Sequence, residues 1–295
     1  MMIDVKSEYD KYEKIMPIKK TNVNGGAFPY RYYKNLHAEK DVTLVFLAGG
    51  TGLADSVFLL FRFFIDKYSL LTFNYPQAFE TNMKLADALA ELFYQLDVHN
   101  VYLVGQSYGG LFAQVMAKRH PELVKGLILS GTCSMHNDLT YNGITEIVNF
   151  INPKKLKKNL RIDKLLPTKL LPLLLKLAFK KVTSDKAITQ NLSDIVELLK
   201  GSISNSYWRH MDLLLGDLMN EYGTHKPVDF ESFCNEVLLI FSEQDKIFSD
   251  ELKNALIRLM PQPAVIRNLE GGHLALLVSP EDYVNKINSF IAKRN

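Results

Sequence analysis

Cysteine is scarce in this 295-residue chain. Cys133 and Cys234 are the only two, with no CxxC pair and no Cys/His cluster, which excludes a disulfide framework and the usual structural zinc sites. An excess of one charge is missing as well. Thirty-five Lys and Arg stand against 32 Asp and Glu, and a formal net charge of +3 is too small to indicate a nucleic-acid partner. No apolar run reaches the roughly 18 residues of a membrane-spanning helix. The longest candidate, Leu165 to Phe179, is broken by Pro167, Lys169, Pro172 and Lys176. Residues Met1 to Asp10 alternate charged with apolar side chains and lack the hydrophobic core of a signal peptide, so the expected location is the cytoplasm, with reduced thiols and no transmembrane segment. Repeats and low-complexity stretches are absent too.

What remains is ordinary globular material, 47% hydrophobic and 23% charged, enough for one large α/β domain or two smaller ones. Short β-type runs alternate with helix-type stretches, the pattern of a mostly parallel sheet covered by helices on both faces. The spacing predicts strands at Tyr30–Tyr33, Thr43–Leu47, Tyr68–Phe73, Val101–Val104, Gly126–Leu129, Val237–Phe241 and Ala264–Leu269. It predicts helices at Ala54–Ile65, Asn82–Leu96, Leu111–His120, Asp250–Met260 and Pro280–Ala292. One interruption stands out. About a hundred residues between Leu129 and Val237 have helical patterning and no clear strand, and so long a connection must carry structure of its own. We read it as a helical cap, residues 134–233, over a core formed by residues 1–133 and 234–295.

Residues Val101 to Gly110 run from an apolar strand into Gly105-x-Ser107-x-Gly109. A serine on a sharp strand-to-helix turn has its hydroxyl pushed out above the end of a parallel sheet, and flanking glycines keep other side chains out of the turn. A hydroxyl is a poor nucleophile until a base accepts its proton and a third group orients that base. Residues for chemistry in open α/β sheets project from the carboxyl ends of strands. Val237 to Phe241 leads into Ser242-Glu-Gln-Asp245, and Ala264 to Leu269 leads into Glu270-Gly-Gly-His273. Ser107, Asp245 and His273 are therefore the candidate catalytic residues, in the chain order Ser, Asp, His.

A tetrahedral intermediate also needs preorganised N–H donors for its oxyanion. The expected donors are the backbone N–H of Tyr108, directly after the serine, and that of Gly50 in the loop Ala48-Gly-Gly-Thr-Gly52, with Thr51 the near alternative. A phosphate cradle is the competing reading of this loop. No Gly-Lys-Ser/Thr follows it, and the dinucleotide fingerprint lacks its final glycine.

On these residues, together with Arg119-His-Pro-Glu-Leu-Val124, the chain from about residue 25 onward resembles the α/β-hydrolase superfamily. The resemblance implies an α/β-hydrolase fold, a mostly parallel doubly wound sheet with a helical cap inserted after the sixth strand. It also implies Ser107 as nucleophile, His273 as general base and then acid, and Asp245 as orienter, with no metal or organic cofactor. The oxyanion loop departs from the family's common His-Gly pair, with Ala48 in place of the histidine. Phe46 to Phe58, with Asn74-Tyr-Pro76 downstream, is also similar to maspardin-like members, some of them better regarded as binding proteins.

The expected function is hydrolysis of a carboxylic ester by acyl transfer, on a small-molecule ester or acyl substrate. The alternatives are a catalytically silent maspardin-like binding protein, or a C–C bond hydrolase or aminopeptidase on the same fold. Thr51, Met135 and Trp208 are the candidate substrate-binding residues. Lys154 to Lys186 carries eleven Lys and Arg against two Asp, interleaved with leucines. That segment could recruit an anionic or fatty-acyl substrate or rest on an anionic membrane surface, although leucines packed on the core beneath a solvated lysine face are the favoured account. Cys133 and His136 fall after the strand that ends at Leu129, and Cys133 reads as a small buried apolar residue.

Overall fold

The middle of the sheet is made of strands that have no solvent face. The computed structural model describes residues 3–38, 41–152, 185–202 and 204–294. Every side chain of β3 (Thr43–Leu47), β4 (Ser69–Thr72) and β7 (Val237–Ile240) is buried, as is β5 (Val101–Gln106) up to Gly105. Such near-continuous apolar runs suit strands covered on both faces. With β1 (Ile18–Val23), β2 (Gly26–Tyr33), β6 (Val124–Ser130) and β8 (Ala264–Ile266), they form one eight-stranded sheet in the order β1-β2-β4-β3-β5-β6-β7-β8. The pairs β1–β2 and β2–β4 are antiparallel, and all pairs from β4 to β8 are parallel. Helices lie on both sides. The architecture is thus the mostly parallel, doubly wound α/β-hydrolase fold expected from the sequence.

The helix that opens at the elbow, α4 (Tyr108–Arg119), is the most enclosed. Each residue from Tyr108 to Ala117 is buried between the sheet and α3 (Asn82–Leu96). Its one amide side chain in that stretch is satisfied there. Gln114 donates to the carbonyls of Gly110 and Cys133 and accepts from the N–H of Met135, so α4 pins the chain leaving β6. At the carboxyl end of the chain, α9 (Pro280–Ala292) begins as its sequence predicts, with Pro280 in the first turn beside Glu281 and Asp282.

Three elements differ from the sequence expectation. Strand β1 was not expected, because Ile18-Lys-Lys-Thr-Asn-Val23 is exposed at most positions, as edge strands with lysines are. It is joined to β2 by Asn24-Gly25, both at positive φ (47° and 78°), the two-residue turn that favours a hairpin. Helix α1 (Val5–Ile15) was also missed; it docks on α2 (Phe58–Phe61) and on residues Lys186–Leu199, and its Tyr9, Tyr12 and Glu13 meet Arg31 of β2. The helix expected over Ala54–Ile65 is broken instead, with a 3-10 turn at Ala54–Val57 followed by the single turn α2.

Between β6 and β7 the described residues are helical: α5 (Tyr141–Phe150), α6 (Lys186–Leu199) and α7 (Asn205–Asp217). Helix α7 is fastened to the core where the N–H and side-chain amide of Asn82 donate to Asp217 Oδ2, and that amide also to the carbonyl of Leu214. Helix α5 is fastened by Glu251 of α8 (Asp250–Leu259), which accepts from Thr140. The basic, leucine-rich stretch falls almost wholly outside the described residues. Among those residues, no helix is long and apolar enough to cross a membrane.

Candidate active site

The end of β5 sets the site. Ser107 has φ 54° and ψ −119°, backbone values that a residue with a Cβ seldom adopts, and it is held there from three sides. Its N–H donates to the carbonyl of Ser130 (3.0 Å), its carbonyl accepts from Thr132 Oγ1 (2.9 Å), and α4 begins on that same carbonyl. The turn is too tight for side chains on either flank. A Cβ on Gly105 would lie 2.5 Å from the carbonyl oxygen of Gly109, and one on Gly109 would lie 2.0 Å from that of Leu47. Among the described residues, every hydrogen bond that reaches Ser107 uses its backbone, and its hydroxyl takes part in none.

Asp245 and His273 meet at the ends of β7 and β8. His273 Nδ1 lies 3.0 Å from Asp245 Oδ2, with the carboxylate almost wholly buried and the imidazole partly open. Burial alone would raise the pKa of Asp245. The hydrogen bond and charge of His273, the N–H of Ile247 on Oδ1 and the nearby Lys253 ammonium outweigh it and hold the carboxyl below its ordinary range. The buried Lys253 also donates to the Asp245 carbonyl.

Two further side chains stitch the loops together. Ser242 Oγ accepts from the N–H of Gly272, and Gln244 Oε1 accepts from that of Gly271. These glycines take φ of 60° and 107°, where a side chain would be strained, and so turn the chain to bring His273 back over the sheet. The next link reaches the elbow directly. Gln106, the residue before Ser107, donates its amide to the carbonyl of His273 at 3.1 Å. Gly131 lies between the parts: a Cβ there would sit 3.4 Å from both Asp245 Oδ2 and His273 Nδ1, one residue past the Ser130 carbonyl that holds Ser107. The fold therefore brings the three candidate catalytic residues to one corner of the sheet. Behind it, Gln106, Ser130, Gly131, His273 and Tyr283 line a small cavity of about 10 Å³, the size of a single water.

Above the imidazole, Phe248 lies 6.0 Å from the His273 ring and Phe150 of α5 lies 5.0 Å from Phe248, both measured between ring centres. On the other side of Ser107, Gly49 to Gly52 form a turn closed by the Gly52 N–H on the Gly49 carbonyl (2.8 Å), with Gly50 and Thr51 at its centre. A Cβ on Gly50 would meet nothing within 4 Å, whereas Gly49 has no room for one beside Gln106 Oε1. Tyr108 opens α4, so its N–H has no acceptor within the helix.

The candidate substrate-binding residues separate. Thr51 stays at the turn, half-buried. Met135 is fully buried, its N–H on Gln114 and its carbonyl on the N–H of Gly223. Trp208 is half-buried on α7, next to the two α7 residues that do reach the turn, Tyr207 and Met211. Cys133 is fully enclosed, and burial, with the charge of Glu146 adding to it, pushes its thiol far above the ordinary range. His136 closes a local turn, accepting from the N–H of Asp138. Sequence reasoning missed Gln106, Ser242, Gln244 and Lys253 as supports. Two of these lie inside the very motif that was read for its aspartate.

The family model described as alpha/beta hydrolase fold matches residues 51–280. The chain is 24% identical to the "Uncharacterized hydrolase YugF" of Bacillus subtilis, over 95% of this chain and 99% of that one. Among solved structures it superposes on a meta-cleavage product hydrolase from Pseudomonas fluorescens (TM-score 0.69, 15% identity, 94% of this chain and 98% of that one). It also superposes on Rv0554 of Mycobacterium tuberculosis (0.68, 18%, 94% and 98%) and on a thermophilic esterase from Thermogutta terrifontis (0.66, 17%, 94% and 98%). With the family match spanning most of its length and the same fold along the rest, the chain belongs to the α/β-hydrolase fold family and is, at that level, a hydrolase.

Proposed function

We propose that this protein is a serine hydrolase that cleaves a carboxylic ester through an acyl-enzyme on Ser107. The observation that carries the reading is the pairing of His273 with the buried Asp245 carboxylate, 3.0 Å apart, tied through Gln106 to a serine held at φ 54°. The Asp245 carboxylate accepts from Nδ1–H and so fixes the tautomer with Nε2 unprotonated, the form that can take a proton from a hydroxyl. Ser107 Oγ attacks the ester carbonyl while His273 Nε2 accepts the serine proton. As the tetrahedral intermediate collapses, the C–O bond to the alcohol breaks and His273 returns that proton to the departing oxygen. Water, giving a proton to Nε2, then attacks the acyl carbon, and Ser107 leaves with the proton back on Oγ. The N–H groups of Tyr108 and Gly50 hold the oxyanion in both halves. Loss of one such donor costs about 3–4 kcal/mol of barrier in comparable sites. Residues 134–233 act as the cap, with Phe150 and Phe248 as an apolar wall above the imidazole.

The test is covalent labelling with a fluorophosphonate. Wild-type protein is expected to be modified at Ser107, and His273→Ala to react far more slowly. Labelling of folded His273→Ala at the wild-type rate would remove the enzymatic reading. A series of nitrophenyl esters on wild type and Ser107→Ala side by side then reads the substrate. Turnover that holds beyond eight carbons indicates a long acyl pocket, and collapse after four indicates a small ester.

A further inference from the structure

The turn at Gly49 to Gly52 lacks the histidine that its family commonly places at position 48, yet both of its ends are held. Tyr75 donates its hydroxyl to the carbonyl of Ala48 (2.7 Å), and Tyr207 of α7 donates its hydroxyl to the carbonyl of Gly52 (2.7 Å). The two phenols are themselves joined, because the Tyr207 oxygen accepts from the N–H of Tyr75 (3.2 Å). Both side chains are buried, and burial keeps both hydroxyls protonated well above the ordinary phenol range, so they remain donors. Gly52 is at φ 67°, and a Cβ there would lie 2.5 Å from Tyr207 Oη and 2.4 Å from Met211 Sδ, so helix α7 rests directly on the turn.

The second oxyanion donor is linked to the same helix. The Tyr75 ring meets that of Tyr108 edge-on, with centres 5.2 Å apart. Tyr108 donates its hydroxyl to Asn82 Oδ1 (2.7 Å), and the Asn82 amide donates to the carbonyl of Leu214 on α7 (2.8 Å). The backbone N–H groups of Gly50 and Tyr108 are thus both referenced to α7, one through two phenols and the other through a phenol and an amide.

We propose that Tyr75 and Tyr207 are positioning residues for the oxyanion loop, and that the hole is complete only when helix α7 of the cap is seated on it. The inference rests on the serine hydrolase reading above and adds to it the part of the chain that regulates the hole. The phenols do not touch the substrate. Without them the Gly49–Gly52 turn has only its own closing hydrogen bond, which then opens more often; neither end is fixed relative to Ser107, and a donor misplaced by a fraction of an ångström loses much of its effect on developing charge.

Tyr75→Phe and Tyr207→Phe keep ring and packing; the first removes only a donor, and the second also removes the acceptor of the Tyr75 N–H. Turnover of p-nitrophenyl butyrate is measured beside inhibition by butylboronic acid, which forms a tetrahedral adduct on serine. For each folded variant kcat is expected to fall about tenfold with KM within about twofold, and boronate affinity to weaken by the same factor as kcat. The pH at which kcat/KM is half-maximal stays put, because the Asp245–His273 pair is untouched. Amide exchange at Gly52 speeds up in Tyr207→Phe, a readout independent of turnover. A folded Tyr207→Phe with wild-type kcat, boronate affinity and Gly52 exchange overturns the inference, as does a loss confined to KM. Ser107→Ala separates the two readings. If it is inactive while Tyr207→Phe works normally, only the loop inference falls; if it turns over at the wild-type rate, the hydrolase reading falls and the inference with it.

Discussion

Replacing Ser107 by glycine should stabilise the protein while abolishing its proposed chemistry. Ser107 sits at φ 54° and ψ −119°, outside the regions open to a residue with a Cβ, and such positions cost about 1–3 kcal/mol. Glycine removes that strain but loses about 0.5–1 kcal/mol more chain entropy on folding. Ser107→Ala is the reference, since it keeps the Cβ and its strain and deletes only a hydroxyl that holds no hydrogen bond among the described residues. The difference between the two variants should therefore favour glycine by about 0.5–2 kcal/mol. For a chain of this size that corresponds to a melting temperature higher by about 1–4 °C. Urea unfolding should give the same sign with unchanged slope, as neither variant alters the surface exposed. If Ser107→Gly proves equal to or weaker than Ser107→Ala, the elbow is not strained in solution, and strain cannot be what presents the hydroxyl.

Asp245→Asn should leave the fold in place and reduce kcat by about 10⁴, because the amide no longer enforces the Nδ1–H tautomer of His273. The same variant reads pH linkage. A carboxyl held below its ordinary range stabilises the folded state above its unfolded pKa of about 3.9, and that contribution is lost as pH falls through the lower folded value. The stability gap between wild type and Asp245→Asn should therefore be constant from pH 7 to about pH 5 and shrink on acidification below about pH 4 in thermal scans; a gap that widens there contradicts the assignment. Away from the site, the buried guanidinium of Arg31 donates to both oxygens of Asp55 (3.0 Å each) and to the carbonyl of Met16 (2.7 Å). Asp55 also accepts from Tyr9 and Tyr12 of α1. Arg31→Ala leaves that carboxylate and carbonyl without their cation and should cost about 3–5 kcal/mol in urea unfolding.

How far the sequence could be read follows from where each element finds its partners. Strands β3, β4, β5 and β7 are legible because burial on both faces demands unbroken apolar side chains. Strand β1 was passed over because its lysines belong to an edge, though Asn24-Gly25 was a usable hairpin signal. Helix α1 gave little warning, since its docking depends on Tyr9 and Tyr12 reaching Asp55 more than forty positions along the chain. The Ala54–Ile65 helix was overread. Its apolar residues serve packing around two short turns rather than one helical stripe.

The corner holding Ser107, Asp245 and His273 was legible from strand ends alone, because a parallel sheet delivers every strand's carboxyl end to the same edge. What fixes those groups was not. Gln106 meets the His273 carbonyl across 167 positions, Tyr207 meets Tyr75 across 132 and Gly52 across 155. No local pattern encodes such a pairing, since a tyrosine on a cap helix has the same spacing whether it packs or donates. The alanine at position 48 makes the point most sharply. Read along the chain, it removes a polar side chain from a loop that, under the proposed function, must hold its shape against a forming oxyanion. In the folded protein the carbonyls of Ala48 and Gly52 are claimed by phenols from the segment after β4 and from α7, so the loop's rigidity comes from elements that a scan of its own residues cannot include. A loop held in this way takes its order from α7, and under the proposed function its catalytic competence should follow the seating of that helix rather than the loop's own composition.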